Sequence, residues 1–180
     1  TIDLNKGWFF CKEDGIPVET DLPHDAMLAE ARDRICRNGV NTGYFPGGKY
    51  RYEKRFVLEE AAVGKSIVLH FEGVYQNCRV YLNGLAVGGT TTVNRLDVDI
   101  SNAVQAGENL LRVTVNNSLE PNCRWYSGSG IYRPVTMCIQ DKNHISGVHL
   151  ETLDIHPARV RVEITTTRPC DVTVEFYDGD

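Results

Sequence analysis

Hydrophobic and polar residues alternate with a period of two along most of this chain. In the segment 50–58, apolar residues fall on one side and charged residues on the other: Tyr50, Tyr52, Phe56 and Leu58 against Arg51, Glu53 and Arg55. Three later segments repeat the alternation, at 67–71, 78–82 and 111–115. Because successive side chains of a strand point to opposite faces, the pattern predicts β-strands with one buried face.

Turn residues separate these predicted strands. Asn83-Gly84 lies between the apolar runs 78–82 and 85–87, and this dipeptide favours the positive φ angles of a two-residue hairpin turn. Further strands are predicted at Leu96 to Ile100 and at Val135 to Gln140. Short strands at this spacing, divided by Gly, Asn and Ser, are typical of an all-β sandwich.

One stretch has a helical pattern. Asp25 is a candidate capping residue for a short turn in which Met27, Ala31 and Ile35 recur every four residues. Its apolar face is narrow, so we expect at most a short helical element.

The alternating pattern restarts after Lys142-Asn143-His144. New runs follow at Val148 to Leu153, at 160–164 and at 172–176. We therefore predict two domains, residues 1–143 and 144–180. A β-sandwich ordinarily needs seven strands in roughly 100 residues, so we expect the second domain to be incomplete in this sequence.

Charge and composition narrow the classes of partner. The 180 residues are 42% hydrophobic, and 19 basic and 24 acidic residues give a net charge of -5. Neither a basic patch nor an apolar run of membrane length is present, so we expect neither nucleic acid nor membrane as a partner. The first ten residues lack the order of a signal peptide, and we expect a cytoplasmic rather than a periplasmic or secreted location.

Six scattered cysteines have no CxxC spacing, which argues against zinc and against a dithiol redox site. We expect reduced, structural thiols. Asp97 and Asp99 share one face of a predicted strand but lack the further oxygen ligands that calcium requires. The five histidines show no metal-binding spacing, so we expect neither a metal nor a cofactor.

The segment Arg124 to Val135 has the composition of a binding loop. Trp125 and Tyr126 offer stacking faces, the arginines offer planar hydrogen-bond donors, and the glycines allow close approach of the backbone. These are groups that recognise sugars. The alternative is a packed turn that buries its aromatic residues against the edge of the sandwich.

Six motifs in order resemble those of glycoside hydrolase family 2, which includes β-galactosidases, β-glucuronidases and β-mannosidases. They are Leu22-Pro23-His24-Asp25, the segment 43–48 with Tyr52 and Phe56, Phe71-Glu72-Gly73-Val74, the segment 80–88, Gly107-Glu108-Asn109 with 113–117, and the segment 124–133. The resemblance covers nearly the whole chain.

This resemblance implies an amino-terminal jelly-roll, galactose-binding-like β-sandwich, followed by the first strands of an immunoglobulin-like sandwich. In the family, a following (β/α)8 barrel carries the two carboxylates of a retaining mechanism. We therefore assign no catalytic residue to this chain. We expect a non-catalytic fragment of an enzyme that hydrolyses terminal β-glycosides, with a β-galactosidase-like parent; the alternatives are a stand-alone carbohydrate-binding module and a structural or oligomerisation domain.

The resemblance also implies contacts between amino-terminal loops and the substrate near the barrel. By position in the motifs these are Asn41 and Asn117, whose amides both donate and accept hydrogen bonds. Further candidates are Asp25, Arg124 and Trp125. The implied partners are a β-glycoside in the full-length enzyme, the barrel and immunoglobulin-like domains of the same chain, and a second copy in a homo-oligomer.

The sequence departs from the family pattern at two places. Arg51 and Glu53 flank Tyr52 where many members have Trp and Arg, and Thr90 to Val93 replaces a Gly-Tyr pair. The substrate preference of other members is therefore not carried over to this chain.

Overall fold

The computed structural model describes residues 1–92, 95–119 and 125–177. These residues form two compact units, Thr1–Ile139 and Gln140–Asp180. The predicted boundary after residue 143 lies just inside the second unit, and the exact domain limits stay a prediction.

The first unit consists of two antiparallel sheets. Its strands are β1 (Ile2–Asp3), β2 (Trp8–Lys12), β3 (Val18–Thr20), β4 (Lys49–Leu58), β5 (Ser66–Phe71), β6 (Cys78–Leu82), β7 (Leu85–Thr90), β8 (Leu96–Asp99), β9 (Gly107–Asn116) and β10 (Val135–Gln140). One sheet has the order β3-β2-β4-β9-β6-β7 and the other the order β1-β10-β5-β8. The all-β sandwich predicted from the sequence is confirmed.

The core of this unit comes from the inward faces of both sheets. Tyr52 in β4, Phe71 in β5 and Leu111 in β9 are all fully buried. The alternating positions predicted to be apolar and inward in segments 50–58, 67–71, 78–82 and 111–115 all belong to this core. Burial of this apolar surface is the main force that holds the sandwich together.

The β6–β7 hairpin forms at the predicted place. Asn83 and Gly84 have φ angles of 50° and 86°, and Leu82 lies opposite Leu85. Two consecutive positive φ angles are what a type I′ turn requires. The hairpin prediction is therefore confirmed.

The helical expectation after Asp25 is correct for one turn only. A 3₁₀ helix spans Ala26–Ala29, and Asp25 caps it by accepting a hydrogen bond from the Met27 amide. The predicted four-residue periodicity does not continue, since the side chain of Ile35 is 88% exposed. Two other 3₁₀ turns lie at Gly39–Thr42 and Glu60–Ala62.

Three short strands before residue 21 were not predicted. In β2, Trp8 is fully buried and Phe10 largely so, but three apolar residues in succession hide the alternation. The signal for β1 and β3 is weak because those strands have only two and three residues.

Within residues 140–177, the second unit contains one antiparallel pair, β11 (Ile145–Ile155) and β12 (Ala158–Thr166). Both strands lie where the alternating runs predicted them. The third predicted run, Val172 to Phe176, is not a strand in this structure. A strand needs a hydrogen-bonded neighbour, and no described strand pairs with this run. The immunoglobulin-like assignment of this unit stays a prediction.

The five described cysteines are free thiols. Cys78 is buried in β6, and burial raises the pKa of its thiol to about 12. Cys123 lies outside the described residues. Among the described residues, no helix is long and apolar enough to cross a membrane.

Candidate functional site

Three loop segments meet at one end of the first unit. The amide of His24 donates to the Ile131 carbonyl at 2.8 Å, and the amide of Ala26 donates to the Ser129 carbonyl at 2.8 Å. Tyr75 and Gly130 exchange two backbone hydrogen bonds. The motif around residue 24 and the motif around residue 130 are therefore joined by backbone pairing, although about 100 residues separate them in sequence.

Asp25 fastens this junction with its side chain. One carboxylate oxygen accepts hydrogen bonds from the amides of Met27 and Ser129, each at 3.0 Å. The other oxygen accepts a hydrogen bond from the Tyr126 hydroxyl at 2.6 Å. Hydrogen bonds to a carboxylate are stronger than neutral ones, so this single residue holds both loops in one geometry.

Two glycines allow the loops to approach this closely. Gly130 has a φ of 102°, and a Cβ atom there would lie 2.1 Å from the Tyr52 hydroxyl oxygen. Gly128 has a φ of 68°, and a Cβ atom there would lie 2.8 Å from an Asp25 carboxylate oxygen. Both glycines therefore serve contacts within the protein.

His24 lies on the inner side of the same junction. Its Nδ1 atom is 2.9 Å from the Tyr52 hydroxyl oxygen, and its ring packs against Phe10 at a centroid distance of 4.6 Å. Burial lowers the pKa of His24, although the negative charge of Asp25 opposes this shift. The histidine is thus a neutral hydrogen-bonding group at pH 7.

A cleft of about 380 Å³ opens beside the junction. Its lining combines aromatic, aliphatic and hydrogen-bonding side chains from the segments 28–45 and 125–126: Leu28, Arg32, Val40, Asn41, Phe45, Trp125 and Tyr126, with Gly43. Phe45 packs against Tyr126 with ring centroids 6.0 Å apart, and the Arg32 guanidinium lies 5.2 Å above the Phe45 ring. The two segments thus build the cleft together.

The chemistry of this cleft fits a sugar. The Trp125 side chain is 69% exposed and offers an aromatic face, while the Asn41 amide is exposed to donate and accept hydrogen bonds. Burial, with the hydrogen bond to Asp25 second, raises the pKa of Tyr126 well above its usual value, so its hydroxyl keeps its proton. Apolar ring faces beside such polar groups match the faces and hydroxyls of a pyranose.

The structure brings together three of the five candidate residues. Asn41 and Trp125 line the cleft, and Asp25 holds Tyr126 at its wall. Arg124 lies outside the described residues. Arg32 and Phe45 were missed: Phe45 belongs to a recognised motif without an assigned role, and no sequence signal marks Arg32.

Asn117 lies beneath the cleft loops and is 1% exposed. Its side-chain oxygen accepts a hydrogen bond from the Gln76 amide at 2.8 Å, and its side-chain nitrogen donates to the Gly128 carbonyl at 3.2 Å. Its backbone amide donates to Gly48 at 2.8 Å. In this structure Asn117 therefore supports the loops from below, and its predicted contact with a sugar stays a prediction.

Comparison with known proteins assigns this arrangement to a family. The family described as "Glycosyl hydrolase 2 galactose-binding domain-like" matches residues 18–147, which include both sheets' long strands and the cleft segments. The chain belongs to glycosyl hydrolase family 2. The resemblance seen in the six sequence motifs is thereby confirmed.

Relatives within family 2 match most of this chain, which spans less than a quarter of each of them. A β-galactosidase of Bacteroides ovatus is 31% identical over 92% of this chain, which spans 21% of that protein. A putative β-glucuronidase of Formosa agariphila is 30% identical over 79% of this chain, which spans 15% of it. The crystal structure of a β-glycosidase from Bacteroides vulgatus superposes with a TM-score of 0.82 at 28% identity, covering 92% of this chain and 24% of that one.

Proposed function

We propose that this chain is the non-catalytic amino-terminal sugar-binding domain of a family 2 enzyme that hydrolyses terminal β-glycosides, with a β-galactosidase-like parent and a retaining mechanism. In this proposal, the cleft lined by Asn41, Trp125 and Tyr126, here called the Trp125 cleft, forms part of the wall of the substrate pocket in the full-length enzyme. Asn41 and Trp125 contact the sugar, and Asp25 positions Tyr126.

One observation carries the proposal: two distant motifs of the chain converge to build one sugar-compatible cleft. Asp25, three residues before the first segment, accepts hydrogen bonds from Tyr126 and Ser129 and so holds the second segment beside the first. A packed turn that only closed the sandwich would bury its large aromatic residue, whereas Trp125 is exposed beside Asn41. The proposal agrees with the names of the relatives, which span several times the length of this chain.

The first experiment tests whether the 180-residue chain is catalytically inert. Purified chain is incubated with aryl β-galactoside, β-glucuronide and β-mannoside, and release of the aryl alcohol is followed. We expect no release above the rate with buffer. Turnover that copurifies with the folded chain would refute the non-catalytic assignment.

The second experiment tests the cleft in the full-length enzyme. We expect Trp125→Ala to lower kcat/KM for the preferred β-glycoside by about tenfold or more, since loss of a stacking and desolvating contact of 1.4 kcal/mol is a factor of ten. Phe9→Ala, which truncates a half-exposed aromatic residue on the six-stranded sheet, is the matched control and leaves kcat/KM unchanged. Equal losses in both variants would contradict a specific role for the cleft.

The exposed Trp125 face also favours a second candidate, a stand-alone carbohydrate-binding module. Titration calorimetry of the isolated chain with simple β-glycosides separates the two. Binding at millimolar concentration or tighter that is lost in Trp125→Ala supports the module. Absence of binding, together with a Trp125→Ala defect in the full-length enzyme, supports the pocket-wall role.

A further inference from the structure

A second cleft, of about 710 Å³, crosses the outer face of the six-stranded sheet. Most of its lining is polar and comes from β4, β6 and β9, the turn after β2 and the residue before β6: Glu13, Asp14, Lys49, Arg51, Asn77, Arg79, Thr114 and Asn116, with Tyr50 and Val115. None of these residues belongs to the Trp125 cleft. Its volume lies within the range of small-molecule sites.

The register of the sheet places two arginines on either side of a threonine. Thr114 in β9 lies opposite Arg51 in β4 and also opposite Arg79 in β6. Directly opposed residues point to the same face, and neighbouring strands are ~4.8 Å apart, so the arginine backbones are separated by roughly 10 Å. All three residues line the cleft, so this part of it, here called the slot, has an arginine on each side of the short Thr114 side chain.

Most donors in this slot have no partner within the described part of the chain. Lys49 and Arg79 make no ion pair with any described residue, and the side-chain nitrogen of Asn116 and the Thr114 hydroxyl donate to none of them. Arg51 has only a long contact, 3.7 Å, to Glu53, which pairs more closely with Arg112 at 2.7 Å. A group of unpaired donors of this kind selects a ligand rich in acceptors, above all an anion.

The carboxylates at the other end of the cleft narrow the class of ligand. Glu13 and Asp14 accept hydrogen bonds and repel anions, so the ligand needs hydroxyl groups as well as a negative charge. A polyphosphate has too few hydroxyls, and the net charge of -5 further disfavours a nucleic acid. A sugar that carries a carboxylate or a sulfate has both kinds of group.

The cleft continues past Arg79 along the edge of the sheet. An adjoining depression of about 530 Å³ shares Asn77 and Arg79 with it and runs over Gly88 to Thr91. Gly89 lies opposite Arg79, and a Cβ atom there would lie 2.4 Å from the Cys78 carbonyl oxygen, so only glycine fits. No side chain at position 89 therefore fills the depression. The cleft and the depression together form one groove, which is long enough for more than one sugar ring.

We propose that this groove binds an acidic oligosaccharide, with Arg51 and Arg79 as the residues that take its carboxylate or sulfate groups. Glu13 and Asp14 accept hydrogen bonds from ring hydroxyls of the same ligand. This site is independent of the proposed function, because it uses no residue of the Trp125 cleft and its test involves no hydrolysis.

The test is titration calorimetry of the 180-residue chain with four probes at constant ionic strength: a digalacturonate, a 6-sulfated lactose, lactose and sodium sulfate. We expect one or both acidic sugars to bind at about millimolar concentration or tighter. Lactose and sodium sulfate bind at least about tenfold more weakly, because each offers only one of the two kinds of group. The acidic sugar that binds more tightly shows whether the site prefers a carboxylate or a sulfate group.

Variants connect the binding to the slot. Arg79→Ala and Arg51→Ala each weaken the binding of the acidic sugar about tenfold or more, since each removes a charged hydrogen bond. Arg55→Ala is the matched control: this arginine lies on the same face of β4 but outside the cleft, where it pairs with Glu108 at 2.5 Å. Circular dichroism checks that all three exposed or half-exposed substitutions leave the fold intact.

Four results would each overturn the proposal. They are no binding of either acidic sugar, equal binding of lactose, equal binding of sodium sulfate, and an Arg55→Ala loss as large as that of Arg79→Ala. If neither acidic sugar binds, the groove has no ligand of this class. If lactose or sodium sulfate binds equally well, the groove does not require a ligand that has both a negative charge and hydroxyl groups. If Arg55→Ala weakens binding as much as Arg79→Ala, only the general surface charge matters.

Discussion

Different forces stabilise the two sheets of the first unit and its loop end, which is the end where the loops around His24, Tyr75 and Gly130 meet. In the sheets, alternating apolar residues such as Phe71 and Leu111 are buried between two layers, and their contribution depends on size and shape. At the loop end, Asp25 and two glycines bring remote segments together by hydrogen bonds and close backbone approach. The first arrangement repeats along the chain, whereas the second depends on single residues.

This difference predicts how each region responds to substitution. A sheet position accepts another apolar residue of similar volume at modest cost. A loop-end position such as Gly130 tolerates another side chain poorly, because its φ angle and its distance to Tyr52 both disfavour a Cβ atom. The Trp125 cleft therefore depends on the less tolerant of the two regions.

The largest effect is expected in the core between the sheets. Phe71→Ala should lower the free energy of unfolding by about 3–5 kcal/mol, since it removes a buried aromatic ring and leaves a cavity. Val57→Ala, at a residue of β4 that is 77% exposed, is the control and should change it by less than about 0.5 kcal/mol. Urea unfolding followed by tryptophan fluorescence measures both; similar values for the two variants would contradict the observed core.

A smaller but still large effect is expected at the loop end. Gly130→Ala should cost about 3 kcal/mol, because it adds strain at a φ of 102° to a clash with the Tyr52 hydroxyl. Gly84→Ala is the matched control, since Gly84 has a φ of 86° but no atom near its missing Cβ, and should cost about 1 kcal/mol. If the two variants unfold at the same urea concentration, the close approach at Gly130 does not stabilise the loop end.

The same difference explains what could be predicted from the sequence. Strands β4, β5, β6 and β9 were predictable because a two-residue period directly reports one buried face. The cleft was only partly predictable: Asn41 and Trp125 were found by their positions in the motifs, but no role was assigned to Arg32 and Phe45, which line the cleft with them. Contacts between remote loops leave no periodic signal, so the hydrogen bond from Tyr126 to Asp25 required the structure.

The burial of Asn117 shows the same limit at a single residue. Its place after β9 indicated a loop contact, but an exposed and a buried amide have the same sequence signature. Only the structure shows that its side chain bonds Gln76 and Gly128. Likewise, the opposition of Arg51 and Arg79 across Thr114 follows from strand order, which alternation alone does not specify.

A third, smaller loss of stability is expected when the hydrogen bond between Tyr126 and Asp25, here called the polar clasp, is removed without changing the packing of the ring. Tyr126→Phe removes the hydrogen bond to Asp25 but keeps the ring, and should cost about 1 kcal/mol of unfolding free energy. Tyr44→Phe is the control: the two tyrosines are 39% and 40% exposed, and the Tyr44 hydroxyl has no hydrogen bond to a described residue. Thermal unfolding should show a lower Tm for Tyr126→Phe alone, and a Tm equal to that of the control would mean that the clasp adds nothing to packing.

The smallest effect concerns pH and His24. Because burial lowers the pKa of His24, the folded protein binds a proton at this site less readily than the unfolded chain, whose histidine has a pKa near 6.5. Between these two pKa values the unfolded state holds more protons, so this site's contribution to stability is full above about pH 6.5 and is lost as the pH falls toward the folded pKa.

His24→Gln tests this contribution while keeping a side chain able to hydrogen-bond the Tyr52 hydroxyl. Urea unfolding at pH 7.5, 6.5 and 5.5 should show a flatter decline for the variant than for the unchanged chain, and the titration of the His24 ring signals in NMR should have its midpoint below 6.5. The half-buried position of the ring allows solvent to screen its charge, which keeps the effect below those of Gly130→Ala and Tyr126→Phe. Equal slopes for the two proteins would show that the neutral form of His24 does not stabilise the loop end, and that its ring contributes through packing against Phe10 alone.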